Sequence, residues 1–211
     1  MIRLIILLVL KNMRNLDIIF KDITICSEEQ IKEIREIRNL ENIKKFMFTD
    51  HYISKKEHLN YITKLKEDKK NLVFIIFNNL SEIIGLLSLN SINRFHKKAD
   101  WAFYTSPKIN NIGGVIEYHF IEFFFNKLNF EKLNCEVLEN NISTQKLHEK
   151  FLFKKKGIKK EKIVKNNKKI DVYLYSLTKK NWYEGKFTLS KFESFFNKYN
   201  INFEFDKKFI I

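Results

Sequence analysis

Two adjacent glycines, Gly113-Gly114, stand at the joint between a strand-like segment and an apolar, helix-like one, closing the loop Lys108-Ile109-Asn110-Asn111-Ile112. At a helix start the first backbone N–H groups have no carbonyl partner inside the helix, and they lie at the positive end of its dipole. A loop that opens outward there receives a phosphate or pyrophosphate. Glycine pairs also close ordinary turns, so the joint alone does not define a ligand. One strand further on come Glu139-Asn140-Asn141 and then a short helix carrying Thr144 and His148. The five histidines share no ligand spacing with cysteine or aspartate, so no metal site is expected.

Periodicity indicates the elements that must hold these side chains. Residues 17–24 alternate as a first strand. Ser27 with Gln30, and Ser54 with Glu57, have the spacing of capping boxes and open two helices. The first runs through Ile31, Ile34, Ile37 and Arg38, and a short turn follows around Ile43, Phe46 and Met47. Leu59, Ile62 and Leu65 give the second helix a buried stripe. Residues 72–77 and 82–89 form a hairpin about Asn78-Asn79, and residues 99–105 the next strand, ending at Ser106-Pro107. A helix over 115–128, a strand over 132–138, a short helix over 142–151 and a hairpin of 153–164 with 170–177 complete the order. The Phe-rich tail, 181–211, predicts a helix over 189–199, a stripe suited to core or dimer packing.

This order of elements around the glycine loop and Asn141 resembles the core of the GNAT superfamily of acyl-CoA-dependent N-acetyltransferases. The family loop carries Gln or Arg, two residues, Gly, one residue, then Gly or Ala. Lys108, Asn111 and Gly113 take those places here, the lysine keeping the positive charge and the asparagine accepting a left-handed backbone better than most residues. The family's later motif of Asn, Ala three residues on and Tyr four beyond is met by Asn141, Thr144 and His148, so only the Asn agrees. Within the superfamily the chain resembles most the enzymes that N-acetylate UDP-4-amino-4,6-dideoxy-N-acetyl-β-L-altrosamine on the way to pseudaminic acid. Ile37-Arg38-Asn39, Phe46-Met47-Phe48, Ile53-Ser54 with Glu57-His58-Leu59, and Tyr104 with Ser106-Pro107 carry that likeness. Glu136-Val137-Leu138-Glu139-Asn140-Asn141 and Asp171-Val172-Tyr173-Leu174-Tyr175 extend it, across residues 18–180.

The resemblance implies an α/β (α+β) domain over 17–180 between terminal extensions 1–16 and 181–211. Its centre is a mixed, mostly antiparallel twisted sheet of about seven strands flanked by helices. It implies acetyl-CoA as cosubstrate, no metal, and a UDP-linked amino-deoxysugar as acceptor; a homodimer is compatible with it. Acetyl-CoA would meet Phe103, Tyr104, Lys108, Asn111, Ile112, Gly113, Gly114, Asn141 and Thr144, with a backbone N–H near Phe103 and Tyr104 receiving the developing oxyanion. Arg38, Met47, Phe48, His58 and Tyr104 would face the sugar nucleotide, the guanidinium suiting phosphate. Glu136 would relay the proton of the attacking amine, and His148 would take the place of the tyrosine that protonates the departing thiolate. Each has a plainer alternative: Glu136 a strand-edge carboxylate, His58 a helix-surface residue, Met47 and Phe48 core, His148 cavity lining.

Composition sets the outer bounds. The 211 residues, with 45% hydrophobic and 30% charged, fit one soluble domain. The formal net charge of +14 is compatible with a phosphorylated ligand. The lysines are scattered, and the densest run, Lys154 to Lys156 with Lys159, Lys160 and Lys162, reads as a solvated hairpin. No nucleic-acid or membrane partner is therefore expected. A peptide-acetylating GNAT of the ribosomal-protein type, and a basic nucleic-acid-binding module without catalysis, are the rival functions. Cys26 and Cys135 read as buried free thiols in a reducing cytoplasm. The apolar stretch Ile2 to Leu10 is too short to span a bilayer and precedes a second start candidate, Met13.

Overall fold

Strand β2 (Leu72–Asn78) explains the architecture most simply: Leu72, Phe74 and Ile76 pack into one core cluster, while Val73, Ile75 and Phe77 pack into another. A strand whose two faces are both apolar must be covered on both sides. The computed structural model describes residues 16–205 and shows that cover. Helices α1 (Glu28–Asn39) and α3 (Lys55–Leu65), with the short α2 (Glu41–Lys44) between them, lie on one face. Helix α4 (Gly113–Glu122), running on into a π-helical turn, Phe123–Lys127, lies on the other.

One sheet holds every described strand, in the order β6-β7-β5-β4-β3-β2-β1-β8. It comprises β1 (Leu16–Asp22), β3 (Ile83–Asn93), β4 (Lys98–Thr105), β5 (Lys132–Leu138), β6 (Lys154–Lys165), β7 (Lys168–Thr178) and β8 (Tyr199–Glu204), besides β2. Pairing is antiparallel except at β1–β8 and β4–β5. The parallel pair β4–β5 holds only where Lys98 to Asp100 meet Lys132 to Asn134. Beyond those positions the two strands no longer pair, and the middle of the sheet opens as a wedge. Helix α5 (Ile142–Lys150) follows β5 on the wedge's far side.

Local signals account for most boundaries. Ser27 and Gln30 make both hydrogen bonds of a capping box. At α3 only half the expected box forms, because the Glu57 carboxylate meets His51 at 2.8 Å instead of turning back to Ser54. Leu59 is exposed, so the buried stripe of that helix is Ile62 and Leu65. The first strand stops at Asp22, whose carboxylate caps a single 3-10 turn at Ile23–Ile25.

The tail departs from the expected helix over 189–199. It forms α6 (Lys179–Gly185), a 3-10 segment Lys186–Phe192, α7 (Glu193–Phe196) and then β8. The sheet therefore has eight strands, not about seven. Phe203 on β8 stacks on Phe20 at 4.5 Å and on Phe123 at 3.6 Å, and Trp182 is fully buried. Burial of large aromatic rings drives this docking. The stretch Ile2 to Leu10 and Met13 lie outside the described residues. Cys135 is a buried free thiol, as expected, whereas Cys26 is only half-buried.

Candidate active site

The wedge leads into a cavity of about 610 Å³ that runs between the splayed strands. Its lining joins α1 and the α2–α3 connection to β4, β5 and α5. Arg38, Met47, Phe48, His58, Phe103, Tyr104, Glu136, Asn141, Thr144 and His148, all singled out in the sequence, line it. The loop residues Lys108, Asn111, Ile112, Gly113 and Gly114 do not; they form the start of α4 beside it.

At that start no side chain caps the helix, which leaves its first N–H groups free to receive an anion. The left-handed residue is Asn111, with φ 61°, and neither glycine has positive φ. A Cβ on Gly113 would meet Leu147 at 3.5 Å and Phe103 at 3.8 Å, ordinary contact directed at the protein interior. A Cβ would therefore fit at both glycines, and the loop's turn rests on the asparagine. Asn141 caps α5, its Oδ1 accepting from the Thr144 N–H at 3.3 Å and the Ser143 hydroxyl at 3.2 Å. This cap fixes the first turn of the helix that presents His148.

The end of the cavity beneath α1 is built by side chains that grip the α2–α3 connection. Asn39 pairs with the Ile53 backbone twice, donating to its carbonyl at 3.0 Å and accepting from its N–H at 2.8 Å. Arg35 donates to the Tyr52 hydroxyl at 3.1 Å and the Ile53 carbonyl at 3.3 Å. Arg38 gives Nη2 to the Thr49 carbonyl at 2.8 Å and to its hydroxyl at 3.2 Å. Its other nitrogen, Nη1, is buried and finds no partner among the described residues. The same holds for Nδ1 of His58. Burial holds the His58 imidazole down at about 4, with Arg35 adding to the effect, so this ring is neutral at physiological pH. Burial likewise lifts the Tyr104 phenol well above its usual value. Phe46, Met47 and Phe48 supply an apolar wall.

Three carboxylates reach the cavity, and each is already engaged. Glu57 meets His51, and Asp100 accepts from Asn134 at 3.1 Å. Glu136 is gripped by Lys159 at 2.5 Å and by Lys162. Burial pushes the Glu136 carboxyl up, but the two ammonium groups outweigh it and hold it below the ordinary carboxylate value. The lysine run of β6 is therefore only partly a solvated face. Lys165, farther along the strand, is buried and donates to the carbonyls of Lys44 and Lys45, binding the β6–β7 hairpin to α2.

The other end of the cavity centres on His148. Its Nδ1 lies 2.7 Å from Oε1 of Glu117 on α4, and both side chains are buried, Glu117 completely. The ring is packed by Trp101 and Phe103 of β4, Phe153 before β6 and Tyr175 of β7, and the Cys135 thiol of β5 faces it. Burial alone would lower the imidazole, but the Glu117 charge and bonds from Cys135 and Glu117 overcome it and raise the ring to about 10. Burial raises the Glu117 carboxyl as well, against the pull of His148. Both directions say that the pair keeps its shared proton through neutral pH. Glu117 escaped the sequence reading. Its signal was a lone carboxylate among Val115, Ile116, Phe120 and Ile121 on a helix otherwise apolar on that side.

A wedge between parallel strands, an uncapped helix start beside it and a buried histidine–carboxylate pair inside it suit transfer of an acyl group from a pyrophosphate-bearing thioester. The family comparison agrees: residues 23–174 match the acetyltransferase (GNAT) domain, and the chain belongs to that family. That domain is one that transfers acetyl groups, with acetyl-CoA as cosubstrate. Among the described residues no group of three or more His, Cys, Asp or Glu is placed to hold a metal ion.

Among individual relatives, the chain is 28% identical over 96 residues to the Campylobacter jejuni acetyltransferase PseH. That match covers 46% of this chain and 59% of the relative. The crystal structure of C. jejuni PseH superposes with a TM-score of 0.60 at 22% identity, over 77% of this chain and 98% of that one. The Vibrio cholerae spermidine N-acetyltransferase, crystallised with CoA and spermine, gives 0.71 at 21% identity, over 79% and 98%. At such identities the superpositions speak for the fold alone. No described helix is long and apolar enough to cross a membrane.

Proposed function

We propose that this chain moves an acetyl group from acetyl-CoA to the 4-amino group of a UDP-linked amino-deoxysugar, as a cytoplasmic enzyme of the pseudaminic acid pathway. The observation that carries the reading is Arg38, whose buried Nη1 has no partner in the cavity while its Nη2 is anchored to Thr49. A half-desolvated guanidinium with one committed and one free nitrogen suits an oxygen of a phosphate. The wall of Phe46, Met47 and Phe48 beside it suits a deoxysugar methyl group.

The competing acceptor is a polyamine, as for the V. cholerae spermidine N-acetyltransferase. A polycation needs free carboxylates, and here Glu57, Asp100 and Glu136 are all taken up by protein partners. The uncommitted group is a cation. Electrostatics therefore favours the anionic acceptor.

Bound acetyl-CoA supplies the acetyl group and departs as the thiol. The residues of this chain do the rest. The uncapped start of α4 receives the pyrophosphate, and Lys108 adds positive charge to its loop. Beyond Asp100, β4 has no β5 partner, so its edge near Phe103 and Tyr104 offers backbone N–H groups to the thioester side of the wedge. Glu136, kept ionised by two lysines, accepts the amine proton by way of water. His148 gives its Nε2 proton to the sulfur. The test is acetyl-CoA turnover followed by CoA release with UDP-4-amino sugars, spermidine and short peptides as acceptors. Release driven by the sugars supports the reading, and release driven only by spermidine or peptides overturns it.

A further inference from the structure

Glu117 has no place in the reaction as described, yet it is the most deeply buried carboxylate described and lies 2.7 Å from the imidazole assigned to protonate the leaving sulfur. Its second oxygen, Oε2, is also buried and has no partner among the described residues. A carboxylate in such a place is costly unless a charge or a proton compensates it. Among the described residues the only cationic partner within reach is His148. From β4 the ring faces Trp101 and Phe103, from β5 the Cys135 thiol, from β7 Tyr175, whose hydroxyl donates to Glu149, and from the start of β6 Phe153. Among the described residues Glu117 is thus the one charged group packed against it.

We infer that Glu117 is a positioning residue that fixes His148 by Nδ1 against the Cys135 wall of the cavity and keeps the ring loaded with its proton. The inference rests on the reading of His148 as the acid. A lone imidazole loses its proton near pH 6.5 and would be a poor acid at neutral pH, whereas the phenol it replaces stays protonated to about pH 10. A buried carboxylate closes that gap. The imidazole with Glu117 then does what a tyrosine does unaided, and the departure from the family motif at position 148 is compensated by a residue on a different helix. The raised value of about 10 is in keeping with this.

The test is Glu117→Gln, which keeps the shape and removes the charge. Titration of the His148 imidazole by NMR, without ligands, should show the wild-type ring protonated beyond pH 8. The variant's midpoint should fall by roughly 1–3 units, the usual effect of losing an adjacent opposite charge. The alkaline limb of kcat should move down with it, and a purely structural role would not shift that limb. An unchanged midpoint in the variant overturns the inference. A wild-type ring that titrates at or below 6.5 overturns it too, and decides the matter even should the variant not fold. A lowered midpoint with an unmoved kcat limb supports Glu117 as the proton's keeper and overturns the acid reading on which its catalytic meaning rests.

Discussion

The cavity holds a histidine at each end, and the two are set in opposite directions. His148 has a carboxylate at 2.7 Å and is raised to about 10; His58 has no carboxylate hydrogen bond, a buried unpartnered Nδ1 and a ring lowered to about 4. Burial pushes both rings toward neutrality, and only the partner differs. One end of the cleft is arranged to release a proton. The other keeps its imidazole neutral in the part of the cavity that Arg38 also lines. The same residue type is set in opposite directions because a glutamate on another helix outweighs burial in one case, while in the other burial prevails and Arg35 adds to it.

The hardest way to break this contrast is at the charged end. His148→Phe should lower kcat by about 10² to 10⁴-fold, the usual share of a proton-donating group. It also strands the Glu117 charge, so the variant should lose stability, with about 3–5 kcal/mol expected when one member of a buried pair is removed. The double variant with Glu117→Gln should regain much of that stability and none of the rate. Full turnover by His148→Phe at every pH would return His148 to cavity lining.

A smaller effect is expected at the acceptor end. Arg38→Ala should raise the KM for the sugar nucleotide about 10- to 100-fold, as a charged hydrogen bond of roughly 1.5–3 kcal/mol implies. Acetyl-CoA affinity, measured by calorimetry, should not change.

The smallest expected effect sharpens the sign difference. A ring lowered from its ordinary value lends stability that is present above about pH 6.5 and is lost as the pH falls through about 4, so His58→Gln should flatten the stability curve on that acid side. The His148 ring acts with the opposite sign. Its contribution is complete below about 6.5 and fades as the pH climbs toward about 10, so His58→Gln should leave that alkaline decline untouched. Chemical denaturation across pH 4 to 10 reads both limbs, and an unaltered acid limb in the variant would remove His58 from the account.

Much of this could be read from the chain. Strand β5 falls on the expected 132–138, the Ser27 box forms, and Asn111 carries the left-handed turn. These features depend on neighbours a few residues apart, which pattern and spacing report directly. Strand β8 was missed because its partner, β1, lies at the opposite end of the chain. Its Phe-rich approach also mimics a helical stripe. The site was legible by residue type and not by pairing. Spacing shows Glu136 without the two lysines that grip it, and His148 without its carboxylate. Its glutamate stands on another helix, and a contact of that kind leaves no local periodicity to find.

The central claim is that an anionic sugar nucleotide, and not a polyamine, fills the end of the cleft beneath Arg38. The most direct measurement is the ratio of kcat/KM for a UDP-4-amino-4,6-dideoxysugar to that for spermidine, in the wild type and in Arg38→Ala. The ratio should be well above one in the wild type and should collapse in the variant through the sugar's KM. A wild-type preference for spermidine, or a ratio that survives the loss of Arg38, would contradict it.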